Sequence, residues 1–328
     1  MYSIAIIGAG RIGAVHARNA YLHPGLDLRY IVDFQPTSAE DLATEFGTQA
    51  GTLDQVLADP QLDAVLIASP TSTHAEYIIK CAEAGKHIFC EKPIDLDLAT
   101  SEACLQAVMQ HEAKFLLGFN RRYDPDFARL KQTIEDGQIG ELEMLQITSH
   151  DPAPPPVSYI NQSGGLFKDM TIHDFDMARW LLGEPVSEIY AAGSCLVDPA
   201  IGDAGDIDSA KITLKTASGK LCSISNSRRA VYGYDQRIEA FGSKGLVKAD
   251  NILCSHVAVW GDQGATKDRV QDFFIERYDA AYRIELDHFV NLLAGNCLPQ
   301  TTIEDGVEAL RLAEAAARSM QEGRAVTP

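Results

Sequence analysis

Asp169, His173, Asp176 and Trp180 recur at the spacing that lines side chains up along one face of an α-helix. Apolar residues flank that face, with Met170, Met177 and Leu181 on one side and Ile172, Phe175 and Leu182 on the other. A helix over 169–182 would therefore hold its polar groups at least partly buried. A carboxylate and an imidazole in such a place are groups whose proton affinities are tuned for acid–base work. The same residues admit two other readings: a histidine satisfied in the core, or, with Asp and His one turn apart, half of a metal chelate. No third ligand cluster accompanies them, so no metal is expected.

Glu91-Lys92-Pro93 is a second candidate, at the end of the apolar run 87–90. Ligands of doubly wound sheets bind at the carboxyl ends of strands, where Lys92 would present a cation. As an alternative, Glu91 and Lys92 form a surface ion pair and Pro93 stops the strand. The third candidate is the turn Gly8-Ala9-Gly10-Arg11-Ile12-Gly13. A strand precedes it, a helix follows, and Asp33 ends the next strand 20 positions after Gly13. Gly8 permits the tight turn, Gly10 lets a pyrophosphate approach the helix N-terminus, and Gly13 lets the helix pack closely on the sheet. Asp33 would bind the adenosine ribose and repel a 2′-phosphate, which selects NAD over NADP.

These groups need a frame. Apolar runs at 4–7, 28–32, 64–68, 87–90 and 115–117 alternate with helical stretches at 12–22, 38–46, 73–84 and 98–111, the pattern of a parallel sheet wound with helices. Beyond Gly118 a helix at 125–136 precedes strand-like segments at 142–149, 188–195, 209–216, 220–227 and 236–241, and an Ala/Leu/Glu/Arg-rich helix ends the chain at 304–321. The four prolines within 152–156 mark a loop after Asp151. The expected fold is α/β: an N-terminal Rossmann domain at 1–120, then an α+β C-terminal domain at 121–328 with a large, mostly antiparallel open sheet.

Composition removes several function classes. With 46 acidic against 28 basic residues the formal charge is −18, and the cations are not clustered, so nucleic acid is not an expected partner. No apolar run is long enough to span a bilayer, and the N-terminus leads straight into a strand, so a cytoplasmic protein is expected. Seven scattered cysteines without a CxxC pair suit reduced core thiols.

Taken together, these segments resemble the glucose-fructose oxidoreductase/inositol dehydrogenase/rhizopine catabolism (Gfo/Idh/MocA) family. The resemblance runs through the glycine turn, Ser69-Pro70-Thr71-Ser72-Thr73-His74, Glu91-Lys92-Pro93, Gly118-Phe119-Asn120-Arg121-Arg122 and Asp169-Met170-Thr171-Ile172-His173-Asp174. It implies Lys92, Asp169 and His173 as catalytic residues. It also implies Arg121, Asp151, Asp176 and Tyr234 as contacts to polyol hydroxyls, and Ser69, Pro70, Thr71, His74 and Glu91 near the nicotinamide half of NAD. The implied reaction is NAD-dependent oxidation of a cyclitol secondary alcohol, myo-inositol to scyllo-inosose first, with scyllo-inositol or an aldose as alternatives. A non-catalytic NAD-binding regulator is the alternative of another class. A homo-oligomer, tetramer or dimer, is implied as well.

Overall fold

Runs that are apolar at nearly every position fold as strands covered on both faces, which is what a parallel sheet flanked by helices requires. The computed structural model describes residues Met1–Pro328. In chain order it begins β1 (Tyr2–Ile7), α1 (Arg11–Leu22), β2 (Leu26–Val32), α2 (Pro36–Phe46), β3 (Gln49–Gly51), α3 (Leu53–Ala58), β4 (Ala64–Ile67), α4 (His74–Glu83), β5 (His87–Glu91), α5 (Leu98–Gln110) and β6 (Phe115–Gly118). The sheet is parallel, in the order β3-β2-β1-β4-β5-β6, so the strand order reverses between β1 and β4. Local chemistry sets the helix ends: Thr52 and Gln55 form a capping box on α3, the Asp97 side chain caps α5, and Pro36 opens α2, which Gly47 closes in the left-handed region.

The chain then continues through α6 (Pro125–Glu135), β7 (Leu142–His150), α7 (Val157–Ser163), α8 (Ile172–Leu182), β8 (Val186–Ser194), α9 (Pro199–Asp203), β9 (Ser209–Thr216), β10 (Leu221–Ser227), β11 (Asp235–Gly242), β12 (Gly245–Ala249), β13 (Ala258–Gly261), β14 (Gly264–Lys267), α10 (Phe274–Arg277), α11 (Asp279–Leu293) and α12 (Ile303–Glu322). Its large sheet has the order β12-β11-β7-β10-β9-β8. The expected mostly antiparallel sheet is in fact mixed: β7 and β10, at its centre, run parallel, and antiparallel pairs flank them. Alternation of apolar residues marks a strand but carries no information about its direction, which the long connection between β7 and β10 decides here.

Two units result. The first comprises Met1–Tyr123 with Ala281–Leu310, the second Asp124–Ala280 with Arg311–Pro328. The first unit's first segment ends at Tyr123, and the chain returns to that unit at Ala281. Hydrogen bonds hold the returning segment: the Leu117 N–H donates to the Thr301 carbonyl at 3.1 Å, Lys114 Nζ to the Leu293 carbonyl at 2.7 Å, and Arg122 Nη1 to the Gln300 carbonyl at 2.7 Å. No helix is long and apolar enough to cross a membrane. All seven cysteines are free thiols, and burial pushes those of Cys81 and Cys104 up to about 12.

The returning segment also brings an acid into the first unit's core. Glu285 is fully buried, and neither carboxyl oxygen has a hydrogen-bond partner. Burial, reinforced by the Glu91 carboxylate, raises its pKa well above the ordinary glutamate value. A carboxyl with a raised folded-state pKa costs nothing below its unfolded pKa of about 4.3 and destabilises progressively as pH rises toward its folded value. Glu285→Gln accordingly raises the Tm, by more at alkaline than at acid pH. Calorimetry of both proteins at two pH values checks this; a Tm difference that fails to grow with pH contradicts it.

Candidate active site

In the first unit the site is built from chain ends at the carboxyl edge of the sheet. Gly8 follows β1 with φ +111°, and a Cβ there would lie 2.5 Å from the Ala68 backbone; at Gly13 it would lie 1.8 Å from the Gly8 carbonyl oxygen. Both glycines are thus demanded by close approach of backbone to backbone. Gly10 differs. A Cβ on it meets nothing within 4 Å, and α1 begins there without a side-chain cap, which leaves open space before the helix N-terminus. Asp33 braces the turn: Oδ2 accepts the Ala9 N–H at 2.7 Å and Oδ1 the Gln35 N–H at 2.8 Å. Arg11 and Ile12 form the first turn of α1. An open approach to a helix N-terminus, with a carboxylate fixed at the end of β2, fits NAD.

After β4, Ser69 and Pro70 lead into a short 3-10 turn at Thr71–Thr73, tied by Ser69 Oγ and Thr73 Oγ1 at 2.7 Å. Lys92 stands half-buried just past β5. Two of the expected cofactor contacts are engaged within the unit. Glu91 Oε1 lies 2.6 Å from Nε2 of the fully buried His16. The His74 ring, 1% exposed, has Nδ1 2.7 Å from the Pro93 carbonyl oxygen and Nε2 2.8 Å from that of Ser69. Arg121, the first unit's expected polyol contact, is buried in a 3-10 turn at Asn120–Tyr123.

The second unit carries Asp151, Asp169, His173, Asp176 and Tyr234. The helix expected over 169–182 is present as one continuous run, π-helical at Phe167–Thr171 and then α-helical as α8. The wider π turn sits where Asp169 stands, and His173, Asp176 and Trp180 follow it on α8. His173 is half-buried, Asp176 is buried, and Asp151 continues β7 with its N–H donated to the Ser227 carbonyl at 2.8 Å. The Tyr234 ring is buried edge-on to Tyr278, with centroids 6.0 Å apart.

Sequence reasoning missed what holds Asp169. Tyr159 on α7 donates its hydroxyl to Oδ1 at 3.0 Å, and both terminal nitrogens of Arg228 reach Oδ2 at 3.3 and 3.4 Å. Burial, reinforced by the Asp169 carboxylate, pushes the Tyr159 phenol above its ordinary pKa. Arg228 follows β10, is 1% exposed, and lies 3.8 Å from a second carboxylate, Asp206, which in turn accepts the Leu166 N–H at 3.0 Å. Asn226, also buried, accepts from Thr171 Oγ1 and donates to Asp174 Oδ2, both at 2.7 Å, and so fastens the π turn and α8 to β10. In the sequence Arg228 stands in the basic pair Arg228-Arg229, a signal that reads as surface charge until the fold buries its first member. Tyr159 had none.

Against this geometry stand the similarities to known proteins. Residues 2–119 match the oxidoreductase family with an NAD-binding Rossmann fold, and residues 127–248 match the GFO/IDH/MocA C-terminal domain. An inositol 2-dehydrogenase of Rhizobium meliloti is 49% identical over 98% of both chains, and a myo-inositol 2-dehydrogenase of Thermotoga maritima is 46% identical over 98% of this chain and 97% of its own. The crystal structure of scyllo-inositol dehydrogenase from Lactobacillus casei, with NAD(H) and scyllo-inositol bound, superposes with a TM-score of 0.93 at 30% identity, covering 100% of this chain and 99% of its own.

Proposed function

Because the chain belongs to the Gfo/Idh/MocA family of NAD-binding oxidoreductases, we propose that it oxidises a secondary hydroxyl of a cyclitol, myo-inositol foremost. The observation that carries this reading is an Asp169 carboxylate anchored from two sides one turn ahead of a half-buried His173. The 49% identity to an inositol 2-dehydrogenase supports the choice of substrate class.

Alcohol oxidation requires a hydride acceptor and a base; NAD, when bound, supplies the first. The glycine turn from Gly8 to Gly13 and Asp33 would hold its adenosine and pyrophosphate half, and Ser69, Pro70 and Thr71 would border the other half. His173 takes the hydroxyl proton, and Asp169 orients its ring and balances the imidazolium charge. Lys92 stabilises the alkoxide as the proton leaves. Arg121, Asp151, Asp176 and Tyr234 hold the remaining hydroxyls of the ring.

The acting form is a homo-oligomer in this reading. Leu246, Phe241, Met144 and Leu221 occupy register-matched positions on the neighbouring strands β12, β11, β7 and β10, and each is 41–48% exposed. Such an apolar row on an open sheet face suits a second copy of the same chain. Two measurements test the proposal. Initial rates of NADH formation with myo-inositol, scyllo-inositol, D-chiro-inositol and D-glucose should give the highest kcat/KM for myo-inositol; no NADH from any of them defeats the reading, and leaves the non-catalytic regulator. Sedimentation of the same preparation as a monomer at micromolar concentration defeats the oligomer.

A further inference from the structure

We propose that His74 is a positioning residue which, by donating from both ring nitrogens, ties the loop after β4 to the loop after β5 and so fixes the backbone that carries Lys92. The proposal rests on the reading of those two loops as the nicotinamide end of the NAD site.

The main-chain ladder between β4 and β5 ends at the pair Ile67 and Cys90. Beyond it the two chains run on to Ser69 and Pro93, and the carbonyls of those residues are the partners of the His74 ring at 2.8 and 2.7 Å. The ring therefore continues the connection where the ladder stops. On the other side of Lys92, Glu91 pairs in the ladder with Gly118, and its carboxylate meets His16 at 2.6 Å. Lys92 thus stands between two residues that are each held by a buried histidine, one through a side chain and one through a carbonyl.

A carbonyl oxygen only accepts, whereas a neutral imidazole has one N–H to give. Both bonds exist together only on the doubly protonated ring. Burial is the main force against that form, with the Lys92 ammonium adding to it, while the two carbonyls and the Glu91 carboxylate favour it; the balance leaves the His74 pKa below its ordinary value. As pH rises through that lowered pKa, one nitrogen turns a lone pair toward its carbonyl and one of the two loops is released. A link that was only structural would hold the loops equally at every pH.

The test is NADH binding by the full-length wild type and by His74→Gln, followed by fluorescence across the acid and neutral range. One lost hydrogen bond corresponds to about a 3–10-fold change in binding. Wild type is expected to bind NADH more weakly by that factor as pH rises past the His74 titration. His74→Gln, with one donor and no titration, is expected to bind with the weaker affinity at all pH values. A Gln variant that keeps the wild-type affinity and pH step overturns the proposal. Nitrogen-15 NMR of the wild-type His74 ring applies even where the variant does not fold: two hydrogen-bonded N–H groups on the acid side support the proposal, and one protonated nitrogen throughout overturns it. Binding needs no turnover, so a protein that shows the step yet oxidises no cyclitol leaves this inference standing while the substrate assignment fails. A wild type that binds no NADH overturns both.

Discussion

His173→Ala lowers kcat about 10²–10⁴-fold, the usual worth of a positioned general base. His173 is half-buried on the first turn of α8, directly after the π turn that carries Asp169. In the proposed reaction its loss removes the proton acceptor while Asp169 keeps its partners, Tyr159 and Arg228. The NADH affinity should stay at the wild-type value, because the glycine turn and Asp33 belong to the other unit. The effect then lies in kcat and in kcat/KM equally, the pattern of an interaction made in the transition state. Steady-state kinetics over a range of pH checks it. Wild-type turnover by the alanine variant at every pH removes His173 from the mechanism.

Arg228→Met is expected to impair both stability and rate. The guanidinium is 1% exposed and serves Asp169 and Asp206, whose side chains are 14% and 13% exposed. Removing one partner of a buried pair, and leaving the other charge uncompensated, costs about 3–5 kcal/mol. For a unit of this size each kcal/mol lowers Tm by about 2–4 °C, so a fall of roughly 10 °C is expected. Activity falls further than stability explains, since Asp169 loses the fork that fixes Oδ2. Arg228→Lys keeps the charge but not the two-pronged geometry, and should recover more stability than kcat. Adding Asp206→Asn to the methionine variant removes one stranded carboxylate and should recover part of the Tm. Thermal unfolding and kcat of the three proteins decide the matter; wild-type values for Arg228→Met refute the assigned role.

Much of this was legible in the residues. The glycine turn and Asp33 announced a dinucleotide: in the structure Gly8 and Gly13 answer close backbone approaches, while Gly10 leaves open space at the start of the helix. Strands β1, β2, β4, β5 and β6 lay within a few residues of the apolar runs, since burial on both faces writes a continuous apolar stretch. The helix α11 had no such signature in the reading, and the return of residues 281–310 to the first unit is a long-range pairing that no window of sequence contains.

What the sequence by itself determined, then, is the kind of chemistry: a dinucleotide turn, a lysine after a strand, and a carboxylate four residues ahead of an imidazole. Side-chain type and spacing suffice for these because the backbone period that aligns them is local. What only the tertiary structure decided is how those groups are held. Arg228 and Tyr159 lie 59 and 10 positions from Asp169. His74 connects carbonyls 5 and 19 positions away, and Glu285 meets the field of Glu91 in a common core. Partners brought together by folding carry no periodicity, so the strength and orientation of each catalytic group follow from the three-dimensional arrangement alone.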